Sequence, residues 1–206
     1  MIKSIYLAST SPRRKSLLEK ICLDLHIKMF ILKTNPTANT KEFEKPRFNE
    51  KPINYVKRIA LKKVLTAEHW LKKNNITKYP ILTGDTIVCF ENQILLKPSS
   101  KEEAFEMLKK LSDNKHKVIS SVALSLPSLI QNTWSIKQKT VSTTVWFAKI
   151  PDEWILKYIR TNDPMDKSGA YAIQGNASMF IKKINGSYSS VVGLPLVETR
   201  ELLQIQ

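Results

Sequence analysis

The sequence predicts an α/β or α+β fold, in which helices cover both faces of one mixed, twisted β-sheet. In the first half, strand-like apolar runs alternate with helical stretches, an order that is typical of parallel strand pairing. In the second half, short strands follow one another through turn residues, an order that favours antiparallel hairpins. The chain of 206 residues can bury a sizeable core, and we expect residues 1–206 to form a single domain.

The first motif consists of a strand, a hydroxyl-rich loop and the start of a helix. A short apolar run leads into three successive hydroxyl residues that begin with Ser9. Ser11 is a favourable N-cap, and Pro12 suits the first helical position because its missing N–H would have no partner there. Arg13 and Arg14 follow in the first turn, where the helix dipole disfavours cations unless an anion joins them. The motif is therefore either a phosphate-binding cradle or a solvated basic helix start.

The next predicted elements are a strand at 27–32, a polar segment at 33–51 and a long helix at 52–74. Polar segments of this length are usually functional or disordered. The apolar residues of the helix repeat along one face, and Lys63 lies in the middle of that face. A lysine on a buried face is rare unless it is paired. Lys63 therefore either extends to the surface or directs its ammonium into a site that holds carboxylates or phosphates.

A carboxylate interrupts the most apolar strand of the chain. Residues 80–90 are nearly all apolar except for Asp85, and a turn at Asn92 returns the chain towards Lys97. Such a hairpin brings Lys97 close to the position opposite Asp85. A carboxylate in a buried strand needs a partner, a metal ion or a chemical role. The alternative to a functional Asp85 is a structural Asp85–Lys97 ion pair, which is costly to bury.

The second half ends in a polar loop and a hairpin. The loop at 161–169 leads into a short predicted strand that ends at Gln174, whose amide can orient a water, a phosphate or a base edge. His116 precedes a strand and has no motif that indicates catalysis, so we expect a hydrogen-bonded structural residue. The other predicted elements are strands at 118–126, 134–150, 179–184 and 188–192, and helices that begin at Ser100, Pro151 and Gly193 and end near 111, 160 and 203.

Composition limits the classes of partner and the cellular location. A net charge of +15 fits a polyanionic ligand, either nucleotide phosphates or nucleic acid. Cys22 and Cys89 lie in apolar runs without metal-ligand spacing, which predicts reduced core cysteines in a cytoplasmic protein. No apolar run approaches the ~20 residues of a membrane span, and the N-terminus lacks the long apolar region of a signal peptide. We therefore expect no membrane partner.

Five motifs, in order, resemble those of the Maf family (septum-formation-type proteins), which are nucleoside triphosphate pyrophosphatases. The chain departs from the family pattern at Gly84 (usually alanine), Leu96 (usually glycine) and Ser168 (usually alanine), and Phe43 stands where the family has an aspartate. The motifs are L-A-S-T-S-P-R-R at 7–14, R-I-A-L-K-K at 58–63, G-D-T-I-V at 84–88 with K-P at 97–98, D-K-S-G-A-Y-A-I-Q-G at 166–175, and G-S-Y-S-S-V-V-G-L-P-L at 186–196.

The resemblance implies two lobes that flank a nucleotide-binding cleft, and hydrolysis of a nucleoside triphosphate to the monophosphate and pyrophosphate. The Ile-Gln-Gly form of the fourth motif resembles the branch that acts on dTTP, UTP and some modified pyrimidine nucleotides. The family has a glutamate in the segment that corresponds to 33–51. Either Glu44 or Glu42 takes its place here, and we assign the position to Glu44. The implied substrate-binding residues are Ser9, Arg13, Arg14 and Gln174, the implied catalytic residues are Asp85, Lys97, Lys63 and Glu44, and the implied ligands of Mg²⁺ or Mn²⁺ are Asp85 and Glu44.

Several alternatives stay open from the sequence. Asp85 is either the general base or a metal ligand. The basic charge and the altered acidic loop also fit a non-catalytic nucleotide- or nucleic-acid-binding regulator, although the chain has no RNP-type or helix-turn-helix motif and nucleic acid is the less favoured partner. An inosine triphosphate pyrophosphatase of related fold is a third alternative. The sequence does not decide between a monomer and a homodimer of this house-cleaning type of enzyme.

Overall fold

The computed structural model describes residues 2–33, 43–128 and 133–204. The strands are β1 (Ser4–Leu7), β2 (Lys28–Ile31), β3 (Ile81–Phe90), β4 (Gln93–Leu95), β5 (Lys115–Pro127), β6 (Trp134–Phe147) and β7 (Ile181–Asn185). The helices are α1 (Pro12–Asp24), α2 (Pro52–Lys73), α3 (Lys101–Leu111), α4 (Asp152–Arg160), α5 (Tyr188–Val192) and α6 (Leu196–Gln204). In the described part of the chain, every helix is too short or too polar to cross a lipid bilayer.

The seven described strands form one mixed sheet with a gap at one edge of β3. The strand order is β2-β1-β3-β5-β6-β7, and β4 pairs with the outer part of β3. β1 is parallel to β2 and β3, and the remaining pairs are antiparallel. On the edge of β3 opposite β5, β1 reaches only to Leu82 and β4 begins only at Val88. Residues 83–87 therefore have no strand neighbour on that edge among the described residues, and Asp85 lies in the middle of the gap.

Helices cover both faces of the sheet, which confirms the predicted fold class. Helix α2 packs on one face, where Val64 and Ile59 contact apolar residues of the central strands. The opposite face carries two separate hydrophobic clusters. One lies under α1 and α6 and includes Leu18, and the other lies under α3 and α4 and includes Leu108. The two lobes that the family resemblance implies stay a prediction, because both clusters pack on one continuous sheet.

The first two predicted helices begin where the sequence places them. The Ser11 side chain caps α1 by accepting a hydrogen bond from the Arg14 N–H (3.3 Å), and Pro12 is the first helical residue. Pro52 likewise opens α2, which ends one residue before the predicted end at Asn74. The predicted strands at 27–32, 80–90 and 118–126 are confirmed as β2, β3 and β5, and residues 134–147 form one strand, β6.

Two predicted strands are wrong. Residues 171–174 form no strand but follow two 3₁₀ turns, Asp163–Asp166 and Ser168–Ala170, and Lys167 between the turns donates hydrogen bonds to the Asp163 and Asp166 carboxylates. Residues 188–192 form the short helix α5, because the Ser187 hydroxyl caps it by accepting from the Ser190 N–H (3.2 Å). The β-branched valines favour a strand, but a local cap prevails.

Candidate active site

The candidate site lies at the carboxyl end of β1. This strand lies between β2 and β3, and the chain leaves it through the Ser9 loop to enter α1. In open α/β sheets, ligands bind in the crevice at such a point, where the strand order reverses. The Ala8 N–H donates to the Leu82 carbonyl (3.0 Å), so the Ser9 loop begins directly beside the gap in β3. The fold thus brings the N-terminus of α1 and Asp85 together.

Lys63 joins two carboxylates on the α2 face of the sheet. Its ammonium lies 2.8 Å from Asp85 Oδ1 and 2.9 Å from Glu44 Oε1. Burial by itself lowers the pKa of Lys63, but the charges of Asp85 and Glu44 outweigh it and raise the pKa above its ordinary value. The ammonium is therefore charged at neutral pH. Lys63 therefore does not extend to the surface but directs its ammonium to carboxylates, as one of its two sequence-based interpretations predicts.

Lys97 does not pair with Asp85, so the structural Asp85–Lys97 ion pair is wrong. Strand β4 ends at Leu95, and the chain then turns away from the sheet as the Leu96 carbonyl accepts from the Gly169 N–H (3.2 Å). Within the part of the chain that the structure describes, Lys97 has no ion pair or side-chain hydrogen bond, and it is exposed. Strand β4 has only three residues and ends before Lys97, so pairing with β3 does not hold Lys97 opposite Asp85.

Arg14 approaches the same strand from the opposite face. Its guanidinium is buried, donating from Nε to the Gly193 carbonyl (3.1 Å) and from a terminal nitrogen to Ser9 Oγ (2.8 Å). A Cβ on Gly84 would lie 3.2 Å from Arg14 Nε, so glycine leaves room for the arginine beside β3. Burial lowers the pKa of Arg14, and the nearby Asp85 carboxylate opposes that shift. The solvated basic helix start is thus wrong for Arg14.

Arg13 extends towards the 3₁₀ turn at 163–166. Burial raises the pKa of Asp163, but hydrogen bonds from Lys167 and Tyr158 and the charge of Arg13 hold it below its ordinary value. A Cβ on Gly175 would lie 3.3 Å from Asp163 Oδ2, so the Gln174-Gly175 segment lies against the same turn. Gln174 itself is exposed. Arg13 and the Gln174-Gly175 segment therefore both lie near this acidic turn.

Glu44 is held by residues to which sequence reasoning assigned no role. The Tyr55 hydroxyl donates to the Glu44 carbonyl (2.6 Å), and Arg58 donates to the carbonyl of the preceding residue, Phe43 (2.7 Å). Arg58 is the first residue of the R-I-A-L-K-K motif at 58–63, but the spacing of that motif does not indicate a contact with the segment around Glu44. The rival acid, Glu42, lies outside the described residues.

Comparison with known proteins identifies the family. A family model described as Maf-like protein matches residues 4–206. The chain belongs to the Maf family. A dTTP/UTP pyrophosphatase of Photorhabdus laumondii subsp. laumondii is 41% identical over 202 residues, covering 98% of this chain and 93% of the relative. Proteins of the same name from Escherichia coli (strain K12) and Dechloromonas aromatica (strain RCB) are 39% and 36% identical over 200 residues, each covering 97% of this chain and 91% and 96% of the relative.

The carboxylates of this Maf-family chain fit a divalent cation that is shared with a phosphate ligand. Among the described residues, no three or more His, Cys, Asp or Glu side chains form a group that could hold a metal by themselves. Glu44 and Asp85 nevertheless converge on one cation, the Lys63 ammonium. Mg²⁺ usually takes one or two carboxylates and completes its coordination with waters and substrate phosphates. Two converging carboxylates beside the N-terminus of α1 match that donor set.

Proposed function

We propose that this chain is a nucleoside triphosphate pyrophosphatase that hydrolyses dTTP and UTP to the monophosphate and pyrophosphate. The observation that carries the proposal is the convergence of Asp85, Glu44 and Lys63 in the gap beside the N-terminus of α1. Membership of the Maf family and the names of the relatives support the reaction and the substrates.

The triphosphate binds at the start of α1 in this proposal. Free N–H groups and the positive end of the dipole favour an anion there. Ser9, Arg13 and Arg14 lie at that end of the helix, and the exposed Lys97 follows β4. These cationic side chains neutralise the charge that develops on the phosphate oxygens. Gln174 recognises the base or orients a phosphate from its position next to the acidic turn.

Hydrolysis requires a water directed at the α-phosphorus. Asp85 accepts a proton from that water while the new P–O bond forms and the bond from the α-phosphorus to the bridging oxygen breaks. Pyrophosphate then leaves with its charge neutralised by the surrounding cations. Asp85 and Glu44 are also the residues that would hold Mg²⁺ or Mn²⁺, which supplies positive charge for the phosphate oxygens. Lys63 keeps the two carboxylates together.

Product analysis in H₂¹⁸O tests the proposal. With dTTP or UTP and Mg²⁺ or Mn²⁺, we expect the nucleoside monophosphate and pyrophosphate, with the ¹⁸O in the monophosphate, and no turnover in EDTA. Release of inorganic phosphate and a nucleoside diphosphate contradicts the proposal, because the cut is then at the γ-phosphate. Nucleotide binding without any hydrolysis favours the non-catalytic regulator instead.

The cytoplasm is the location that belongs with this function. Nucleoside triphosphates are abundant there, and the two cysteines, Cys22 and Cys89, are buried and free. Free buried thiols agree with a reducing compartment.

A further inference from the structure

Side chains of helix α2 donate hydrogen bonds to three successive carbonyl groups in the segment that carries Glu44. The Tyr55 hydroxyl donates to the Glu44 carbonyl (2.6 Å), and Arg58 donates to the carbonyls of Phe43 (2.7 Å) and Lys45 (3.1 Å). Side chains of one helix thus satisfy the backbone of a segment that belongs to no strand and to no long helix.

A second acid fixes the guanidinium that makes these contacts. Glu50 accepts from Arg58 at both carboxylate oxygens (2.6 and 2.7 Å), in the bidentate geometry that makes arginine–carboxylate pairs strong and directional. The hydrogen bond from Arg58 lowers the pKa of Glu50. The Glu50 and Arg58 side chains are only 8% and 18% exposed. Arg58 can therefore not turn away from the loop without leaving the largely buried Glu50 carboxylate with no cation, held only by the Arg47 N–H (3.0 Å).

The same helix carries the cation that Glu44 reaches. Lys63 follows Arg58 on α2, and its ammonium binds the Glu44 carboxylate (2.9 Å) and Asp85 (2.8 Å). Tyr55 and Arg58 thus hold the backbone of Glu44 while Lys63 receives its side chain. Tyr55, Arg58 and Lys63 all belong to helix α2, so the hydrogen bonds from Tyr55 and Arg58 to the backbone set the distance between Glu44 and Asp85. If those hydrogen bonds are lost, the carbonyl groups become hydrated and the Glu44 carboxylate moves away from Lys63.

We infer that Tyr55 and Arg58 are positioning residues that hold Glu44 at the place where it binds the divalent cation of the reaction. The inference rests on the proposed function, in which Glu44 and Asp85 hold the metal. In this role Tyr55 and Arg58 act through Glu44, by way of the backbone carbonyl groups to which they donate. Residues that orient a metal ligand typically change metal affinity by about 10- to 100-fold when they are substituted.

Three single variants separate this role from general effects on the fold. Tyr55→Phe removes one hydroxyl and keeps the ring in the core. Arg58→Gln removes the hydrogen bonds to the carbonyl groups of Phe43 and Lys45. Lys57→Gln is the control, because Lys57 is the exposed neighbour of Arg58 on α2 and its loss changes the net charge equally. The Kd for Mn²⁺ is measured by electron paramagnetic resonance, with and without a UTP analogue whose α–β bridging oxygen is replaced by a methylene group. Melting temperatures are recorded in parallel.

We expect the Kd for Mn²⁺ to rise about 10-fold in Tyr55→Phe and at least as much in Arg58→Gln, and to stay unchanged in Lys57→Gln. In a Glu44→Gln background, Tyr55→Phe should have no further effect on the Kd, because its effect acts through Glu44. An unchanged Kd in Tyr55→Phe overturns the inference, as does an undiminished effect in the Glu44→Gln background or the absence of Mn²⁺ binding in the parent protein. Should Arg58→Gln fail to fold, Tyr55→Phe decides alone.

The Mn²⁺ measurement needs no turnover and is therefore independent of the product analysis. A protein that forms monophosphate and pyrophosphate but shows equal Mn²⁺ affinity in all variants keeps its proposed function and loses the positioning role. A protein that releases inorganic phosphate, with the expected Mn²⁺ shifts, keeps the positioning role and loses the proposed function.

Discussion

Asp85, Lys63 and Glu44 behave as one unit at the scale of single residues. Two carboxylates beside each other repel, and the Lys63 ammonium between them offsets that repulsion. The arrangement also explains why Asp85 is tolerated in an apolar strand, since an isolated ionised carboxylate there would be costly. Asp85 is therefore paired with Lys63 in this structure, and its catalytic role is part of the proposed function.

Asp85→Asn tests that assignment at the residue scale. The substitution keeps the shape of the side chain but removes both a proton acceptor and a negative metal ligand, so turnover should fall ~10²-fold or more. The melting temperature should change little, because Lys63 keeps its pair with Glu44. Turnover on UTP and thermal unfolding of the same preparation provide the two measurements. Near-normal turnover in a clearly destabilised variant contradicts a catalytic Asp85.

The sequence indicated the charged residues of the site better than their partners. A lysine on an apolar helix face and an aspartate in an apolar strand stand out by residue type alone, and these two residues do meet. The expected contact of Asp85 with Lys97 is wrong, because it depends on the length of β4, which no local pattern specifies. The contacts of Arg58 with a segment more than ten residues away were equally invisible, since they depend on how the loop returns to α2.

At the scale of elements, the turn at 168–170 closes the part of the gap that lies next to β4. The Ser168 hydroxyl donates to the Thr86 carbonyl of β3 (3.3 Å), and the Gly169 N–H donates to the Leu96 carbonyl. Gly169 has a φ of 67° and packs directly against Val88. The sequence suggested a strand here because the residues after the turn are apolar, but they are buried by side-chain packing instead.

Gly169→Ala should destabilise the protein by about 2 kcal/mol or more. The new Cβ would lie 2.8 Å from three carbon atoms of the Val88 side chain, and a positive φ disfavours any residue with a Cβ. For a chain of this length, we expect the melting temperature to fall by roughly 4–8 °C. Val88→Ala removes two of these three carbon atoms and thereby part of the contact, so the double variant should lose less stability than the sum of the two single variants. Strict additivity in urea unfolding contradicts this packing.

At the scale of the whole molecule, a polar seam separates the two hydrophobic clusters on one face of the sheet. Thr86 and Ser120 hydrogen-bond to each other across neighbouring strands (2.7 Å), and Ser120 donates to the Ser190 carbonyl of α5 (2.6 Å). Arg14 lies in the same seam. The fold class could be read from the order of helical and strand-like segments. The division of one face into two clusters could not, because it depends on which distant helices cover each half of the strands.

The stability of the whole molecule should depend on pH through His116. This residue is 2% exposed on β5, its Nε2 lies 2.6 Å from the Tyr171 hydroxyl, and its Nδ1 has no hydrogen-bond partner among the described residues. Burial lowers the pKa of His116 from 6.5 to about 4. Between these two values the unfolded chain binds a proton that the folded protein rejects. The contribution of His116 to the free energy of unfolding is therefore fully present above pH 6.5 and is lost as the pH falls towards 4.

Urea unfolding at pH 7.0 and pH 4.5 measures this dependence. The free energy of unfolding should decrease by roughly 2 kcal/mol over that range, since each pKa unit of difference corresponds to ~1.4 kcal/mol. Acids with lowered pKa values, such as Asp163 and Asp166, lose their contribution mainly at lower pH. The control replaces both His116 and Tyr171 by Phe, which removes the titrating group without leaving the tyrosine hydroxyl unpaired in the core. Its stability should change little between pH 7.0 and 4.5, and an equal loss in both proteins would assign the pH dependence to other groups.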